Sequence, residues 1–352
     1  MLEGRTYAPL LHARLAEMRA LRELPTNTKN AIFPVIKIRP WLNARTLAKV
    51  FDVIQEAVGD RAYGLDLDDS RNIANAQRQA YQEFSRLFDS SDGYSQYYEC
   101  VARSNNIVPV LRLSPLDLQL ERQIDHIENL DRGVVIRVTT QEPGQFLEIA
   151  SYCLYRNIRN VLFVFDCGWR TDVLTQSATC AGLLESLMDV SEHFEVVVAG
   201  SSFPQSFSGL GERFDIPVAE RLLFQEVRRS VNRGSLTYGD WGSTRPPTAP
   251  VPMRNIPRID IARGLNWTSW RSVDGETYAD VAERVIEDAE WDGNIGVWGE
   301  YMIQSTAEGL DPAVRSPAMA AAVRVNLHMH IQANYDNPQG LAVQDEPVGD
   351  DL

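Results

Sequence analysis

GVVIRVTTQEPGQFLEIASYCLYRNIRNVLFVFD, residues 133–166, is the stretch whose reading decides the fold. Two runs rich in Val, Ile and Phe, GVVIRVTT from Gly133 and NVLFVFD from Asn160, flank a segment with helical patterning. Runs so continuously apolar belong to strands buried on both faces, as in a parallel sheet covered by helices. The unit recurs in both directions along the chain. Upstream lie FPVIKI from Phe33, AYGLDLD from Ala62 and IVPVLRLS from Ile107; downstream lie FEVVVAG from Phe194 and SLTYGDW from Ser235. Helical patterns fill most of the gaps. Leu47, Val50, Phe51, Ile54 and Val58 share one face behind Asn43 as an N-cap, and Ile73, Ala76, Ala80, Phe84 and Leu87 share another in the segment from Ser70.

A doubly wound sheet would show a glycine-rich phosphate turn after its first strand, and VIKIRPWLN has no glycine. A (β/α)8, TIM-barrel-like α/β fold needs no such turn and fits a core of about 250 residues with insertions. Its eighth strand is either PRIDIA around Asp260 or NLHMHIQ from Asn326. The expectation is one barrel-like domain over residues 1–335, with a loop and insertion region over 242–325 after the seventh strand, and a disordered tail over 336–352, rich in Pro, Gly and acid. Pro246, Pro247, Pro250, Pro252 and Pro257 mark a long loop from Gly242 to Pro257. Because it follows the seventh strand, it should lie over the barrel mouth. Further on, ETYADVAERVIEDAEW from Glu276 reads as an amphipathic helix and VWGEYMIQ opens another.

The chain carries 34 Lys plus Arg against 48 Asp plus Glu, a net charge of −14, with 44% hydrophobic and 23% charged residues. That composition is globular rather than disordered, collagen-like or membrane-spanning. Its bulk charge argues against a nucleic-acid partner, which would need a surplus of cations. Cys100, Cys153, Cys167 and Cys180 form no CxxC pair and read as reduced core thiols. No basic region followed by an apolar run opens the chain, and no run reaches the ~18 apolar residues of a spanning helix. A cytoplasmic protein with no membrane partner is therefore expected.

Aligning the strand runs places Lys37, Asp66, Arg112, Arg137, Asp166, Asp240 and, in PRIDIA, Asp260 near carboxyl ends, where alternation turns them into the barrel mouth. Lys37, Arg112 and Arg137, with Arg39 beyond them, would clamp a phosphate or carboxylate by charge-assisted hydrogen bonds. Asp66, Asp166 and Asp240 are the catalytic candidates, since crowded carboxylates are pushed to different pKa values. The same ring also reads as a structural salt-bridge network. Ser201 and Ser202 in GSSFP offer hydroxyls for an anion seat or an ordinary βα turn. Trp241 adds a binding aromatic, while most of the other late tryptophans, Trp267, Trp270, Trp291 and Trp298, read as core. His328 and His330 in LHMHIQ share a face only if that segment is a strand. No HExxH or Cys/His cluster is present, so no residue is assigned to a metal, although Asp66, Asp166 and Asp240 are of a type that binds one, and the cofactor stays unknown.

The order of YAPLLHARLAEMRAL, IFPVIKI, LDLDD, GSSFP, YGDWGS, VWGEYMI and LHMHI resembles the beta protein family, which is named for a phage protein, from about Tyr7 to about Tyr335. The family's acidic residue after the WG pair corresponds to Glu300. Its paired histidines correspond to His328 and His330, here separated by Met329. The resemblance implies a barrel-like fold and a phage-linked or antiphage-defence setting, and supplies no activity. Two expectations follow for function. In one, a phage- or defence-associated barrel binds an anionic small molecule in its charged mouth, with hydrolysis as the chemistry its carboxylates would add. In the other, a non-catalytic barrel is the interaction subunit of a larger complex with a protein partner.

Overall fold

Eight parallel strands follow one another around a barrel in the computed structural model, which describes residues 1–69, 77–113, 117–207, 209–231, 235–246 and 256–342. They are β1 (Tyr7–His12), β2 (Val35–Ile38), β3 (Tyr63–Leu67), β4 (Ile107–Pro109), β5 (Val134–Thr139), β6 (Val161–Trp169), β7 (Glu195–Ser201) and, after an intervening β8 (Arg213–Pro217), β9 (Thr237–Asp240). β9 pairs with β1, and a parallel bridge between Val110 and Val135 joins the β4 end to β5, so the ring meets itself. The chain is a (β/α)8 barrel. Its outer layer comprises α1 (Leu15–Arg22), α2 (Thr26–Ala31), α3 (Ala48–Val58), α4 (Gln79–Arg86), α5 (Ser95–Ala102), α6 (Leu118–Leu130), α7 (Phe146–Tyr155), α8 (Val173–Val190) and α9 (Ala219–Ser230).

Alternation along each strand builds two cores. Ala8, Leu10, Val35, Val108, Val110, Val135, Leu162, Val164, Val197 and Ala199 fill the barrel interior. Ile36, Leu65, Ile136, Phe163, Phe165 and Val198 face outward and pack under the helices. Both faces being buried is why the strands read as unbroken apolar runs. Where the interior is tightest the inward residue is glycine: a Cβ on Gly239 would meet Val197 Cγ1 at 2.6 Å and the Ala8 carbonyl oxygen at 2.8 Å.

The eighth strand is neither of the two expected segments. It is β1, at the start of the chain, whose six residues are all buried. Its YAPLLH runs straight into the helical pattern of α1, so the apolar positions read on as one helix-like stretch. PRIDIA instead supplies β10 (Arg258–Ala262), which pairs antiparallel with β11 (Asn266–Arg271), and β11 pairs with β8, in a separate three-stranded sheet. LHMHIQ lies in α12 (Pro317–Ala333), where every residue from Ala322 to Ala333 is buried. A helix buried on all sides has no polar face to betray its period.

Around this second sheet pack α10 (Tyr278–Ile286), α11 (Trp298–Ala307) and α12, with Trp267, Trp270, Val281, Met302, Ile303 and Leu327 in their core. α12 also contacts α1, α2 and β1, and so joins the second sheet to the barrel. Thr277 and Asp280 form a capping box on α10, and Ser316 with Pro317 starts α12. One other expectation is corrected. Asn43 sits at φ +59° and caps nothing, since α3 begins five residues later at Ala48. Of the helix proposed from Ser70, the described part is α4, and Ile73 and Ala76 lie outside the described residues. In the described part of the tail, Pro338–Gly340 form a short 3-10 turn and the Leu341 carbonyl accepts from His330 Nε2 at 2.9 Å. Residues 343–352 lie outside the described residues.

Candidate functional site at the barrel mouth

The inward positions one step beyond the apolar interior are polar. β1 ends on His12, β2 carries Lys37, β3 carries Asp66, the segment after β4 carries Arg112, and β5, β6 and β7 carry Arg137, Asp166 and Ser201. Asp66 is the hub and is 1% exposed. Arg137 Nε donates to its Oδ2 at 3.0 Å, Lys37 Nζ stands 3.5 Å from the same oxygen, and Arg112 Nη1 lies 3.4 Å from Oδ1. Oδ1 also accepts from the Leu67 N–H at 2.7 Å. Burial alone would raise the pKa of this carboxyl, but Lys37, Arg137 and Arg112 more than reverse that and hold it well below the usual range.

Arg137 continues the chain of charges, its Nη1 reaching Asp166 Oδ2 at 3.3 Å. Asp166 Oδ1 takes the Trp241 indole N–H at 3.2 Å and the Gly168 N–H at 3.0 Å. On the outer side Asp69, half exposed, pairs with Arg112 at 2.6 Å and stands 3.7 Å from Lys37, and Arg39 stands 3.8 Å from Asp68. Thus Lys37, Arg112 and Arg137 are matched by Asp66, Asp69 and Asp166, and the innermost ring is neutral as a unit.

A second group lies beside it on the loops after β1 and β9. His12 is fully buried against Trp241, their ring centroids 5.2 Å apart, with its Nε2 donating to the Arg245 carbonyl at 3.1 Å. Nε2 therefore carries the proton, and Nδ1 is a buried lone pair with no partner among the described residues. Burial and the charge of Arg14 push this imidazole down to about 3. Arg245 Nη1 is likewise buried and unpartnered there, and neither Arg245 nor Arg14 forms an ion pair among the described residues. Burial and the like charge of Arg14 lower the pKa of Arg245.

Five of the expected residues lie elsewhere. Asp240 faces outward from β9, because the inward position at that level is Gly239 and the next is Trp241. It is fully buried between barrel and α12, accepting from the Tyr7 and Tyr238 hydroxyls, the Gly242 N–H at 2.7 Å and His328 Nε2 at 2.7 Å. His328 belongs to this dry network, and His330 points elsewhere, bonding Thr28 through Nδ1. Two residues apart on a helix, the pair cannot share a face. Ser202 faces the helix layer, accepting from the Ala219 N–H at 3.0 Å and donating to Glu220. Ser201 does face the mouth, but its hydroxyl is spent on the Thr244 carbonyl at 2.6 Å. Asp260, the optional seventh member, pairs instead with Arg258 of its own strand and Arg324 of α12.

The start of the proline loop does lie on the mouth, where Thr244 and Arg245 meet Ser201 and His12; residues 247–255 lie outside the described residues. Among the described residues no group of three or more His, Cys, Asp or Glu is placed to hold a metal ion, and no helix is long and apolar enough to cross a membrane. The sequence reading missed His12, Arg14, Asp69 and Arg245. His12 was accessible through alternation from Ala8 and Leu10, once β1 is recognised as a strand.

The family model described as Beta protein matches residues 7–334. "Protein beta" of Enterobacteria phage P4 is 25% identical over 344 residues, covering 94% of this chain and 93% of that protein.

Proposed function

The chain belongs to the Beta protein family, and on that premise we propose that it is an anion-binding barrel whose mouth takes the negatively charged group of a ligand. The observation that carries this is the pair Arg14 and Arg245, neither in an ion pair among the described residues, beside a buried His12 whose Nδ1 has no donor. Like charges held close together, and buried polar atoms left unpaired among the described residues, cost stability, and such costs are characteristic of ligand sites. An anion there would accept from both guanidinium groups, and a protonated oxygen or an N–H of the ligand would satisfy His12.

Binding is better supported than hydrolysis. Asp66 is locked ionised by three cations, and Asp166 already accepts from Arg137, Trp241 and Gly168, so both carboxylates are engaged in holding the ring together. A phage-linked setting is supported by the similarity to the phage P4 protein, and antiphage defence with a partner protein belongs to the proposal as its biological context.

The test is thermal unfolding in rising inorganic phosphate, against chloride at equal ionic strength. Phosphate should raise the melting temperature of the wild type, with stabilisation growing as the logarithm of concentration once sites fill. Arg14→Ala with Arg245→Ala should abolish the shift. An equal shift in chloride, or an undiminished one in the double variant, overturns the proposal.

A further inference from the structure

Exposed apolar side chains, five leucines and one tryptophan, gather at the same end of the barrel. Leu15 opens α1, Leu42 lies between β2 and α3, Leu113 and Leu118 flank the start of α6, Trp169 ends β6 and Leu174 lies in the first turn of α8. Their exposures are 60%, 77%, 39%, 57%, 40% and 78%. Single exposed leucines are ordinary, but these all sit on segments that leave the carboxyl ends of parallel strands, and so surround the mouth. A rim of apolar side chains around a polar centre is the composition of a docking surface.

We propose that the occupant of the mouth is a segment of a partner protein that combines acidic residues with aliphatic ones. This rests on the anion-binding reading and specifies its ligand. Charge complementarity selects an acidic group: in a chain of net charge −14, Arg14, Arg170 and Arg245 stand at this end outside any ion pair among the described residues. A free inorganic anion would satisfy them and leave the leucines in water. Single-stranded nucleic acid would stack its bases on aromatic side chains, and of the rim residues only Trp169 is aromatic. An anionic membrane would meet the repulsion of the whole acidic molecule, whereas a short peptide meets chiefly the local cations. A peptide also brings backbone N–H groups, the donor that His12 Nδ1 lacks.

The experiment selects a random peptide display library on the full-length protein, then measures one synthesised enriched peptide by fluorescence anisotropy. Enriched sequences should pair Asp or Glu with Leu, Ile or Val. Leu42→Ser combined with Leu174→Ser, both at exposed positions, should weaken the peptide about tenfold or more while leaving the phosphate-induced melting shift unchanged. Enriched peptides without aliphatic residues, no enrichment, or indifference to the two substitutions overturns the inference. So does leucine-dependent binding of phosphatidylserine vesicles or of a labelled oligonucleotide in the peptide's place. A wild type that responds to phosphate but selects no such peptide loses this inference alone; one that responds to neither loses the anion-binding reading as well.

Discussion

His328 and Asp240 meet at 2.7 Å across the seam between α12 and the barrel wall. Trp267 donates its indole N–H to His328 Nδ1 at 3.2 Å, so the ring proton sits on Nε2 and is given to the carboxylate. With Tyr7, Tyr238 and the Gly242 N–H as further donors, and with both residues fully buried, this Asp–His pair is a joint and not a reagent. It ties the second sheet, through Trp267 and α12, to the two strands that close the barrel.

Cutting that joint should cost stability without touching the mouth. His328→Ala removes a donor from a buried carboxylate and strands the Trp267 N–H, a loss on the order of 3 kcal/mol. At roughly 2 °C per kcal/mol in a chain of this size, thermal unfolding should fall by about 6 °C. The phosphate-induced shift in the variant that still folds should equal that of the wild type; a selective loss of that shift would show His328 to act at the site.

Arg137 and Arg112 should part company on truncation. Arg137 bridges two buried carboxylates, Asp66 and Asp166, whereas Arg112 shares Asp66 with Lys37 and otherwise pairs with the half-exposed Asp69. Arg137→Ala therefore leaves two buried charges short of a partner and should cost about 3 kcal/mol, at the lower end for a broken buried pair. Arg112→Ala should cost well under half as much when both variants are unfolded in urea beside the wild type. Equal losses would mean that the ring behaves as one undivided network.

Much of the barrel was legible because double burial writes itself into sequence: seven strands announce themselves as Val, Ile and Phe runs, and Lys37, Asp66, Arg137 and Asp166 interrupt them at one level. Where the period fails, so does the reading. β1 merges into α1, α12 has no polar face, and in YGDWGS the inward position is held by a glycine that carries no charge to mark it. Asp240 is the nearest carboxylate to that level and is off by one residue, which on a strand is the opposite side of the wall. The pair Arg14 and Arg245 lies on loops more than two hundred residues apart in sequence, and only closure of the ring between β9 and β1 brings them together.

Gly239 should tolerate no side chain. An added Cβ would stand 2.6 Å from Val197 Cγ1, 2.8 Å from the Ala8 carbonyl oxygen and 3.1 Å from Ala199 Cβ. Val197 can give by rotating, but the Ala8 carbonyl is strand backbone. Gly239→Ala should therefore cost at least the ~1–3 kcal/mol of ordinary overpacking. Chemical denaturation of the purified variant measures it, and an unchanged midpoint would show that β1 and β9 are looser than their register indicates.

Stability should fall as pH rises from neutrality, and one buried acid is the chief contributor. Glu220, on α9 behind Ser202, is 3% exposed, and burial together with the nearby charge of Asp240 raises its carboxyl to about 8 from an ordinary 4.5. The folded state thus keeps a proton that the unfolded chain releases, so this contribution is complete below about 4.5 and is lost as pH climbs through about 8. His12, lowered from 6.5 to about 3, works in the opposite sense: its contribution is complete above 6.5 and is lost as pH falls toward 3. Asp260, lowered from 3.8 to about 2, is lost only in stronger acid. Between about 4.5 and 6.5 the slopes of Glu220 and His12 oppose each other, and above 6.5 that of Glu220 stands without His12's. The wild type should therefore lose stability between pH 6.5 and 8 with a slope approaching one proton, ~1.4 kcal/mol per pH unit. Glu220→Gln keeps an oxygen for the Ser202 hydroxyl and has nothing to ionise, so its urea midpoint should hold steady over that window and exceed the wild type's at the alkaline end. A wild-type profile that is flat there, or a variant that keeps the slope, would place the responsible proton on another group.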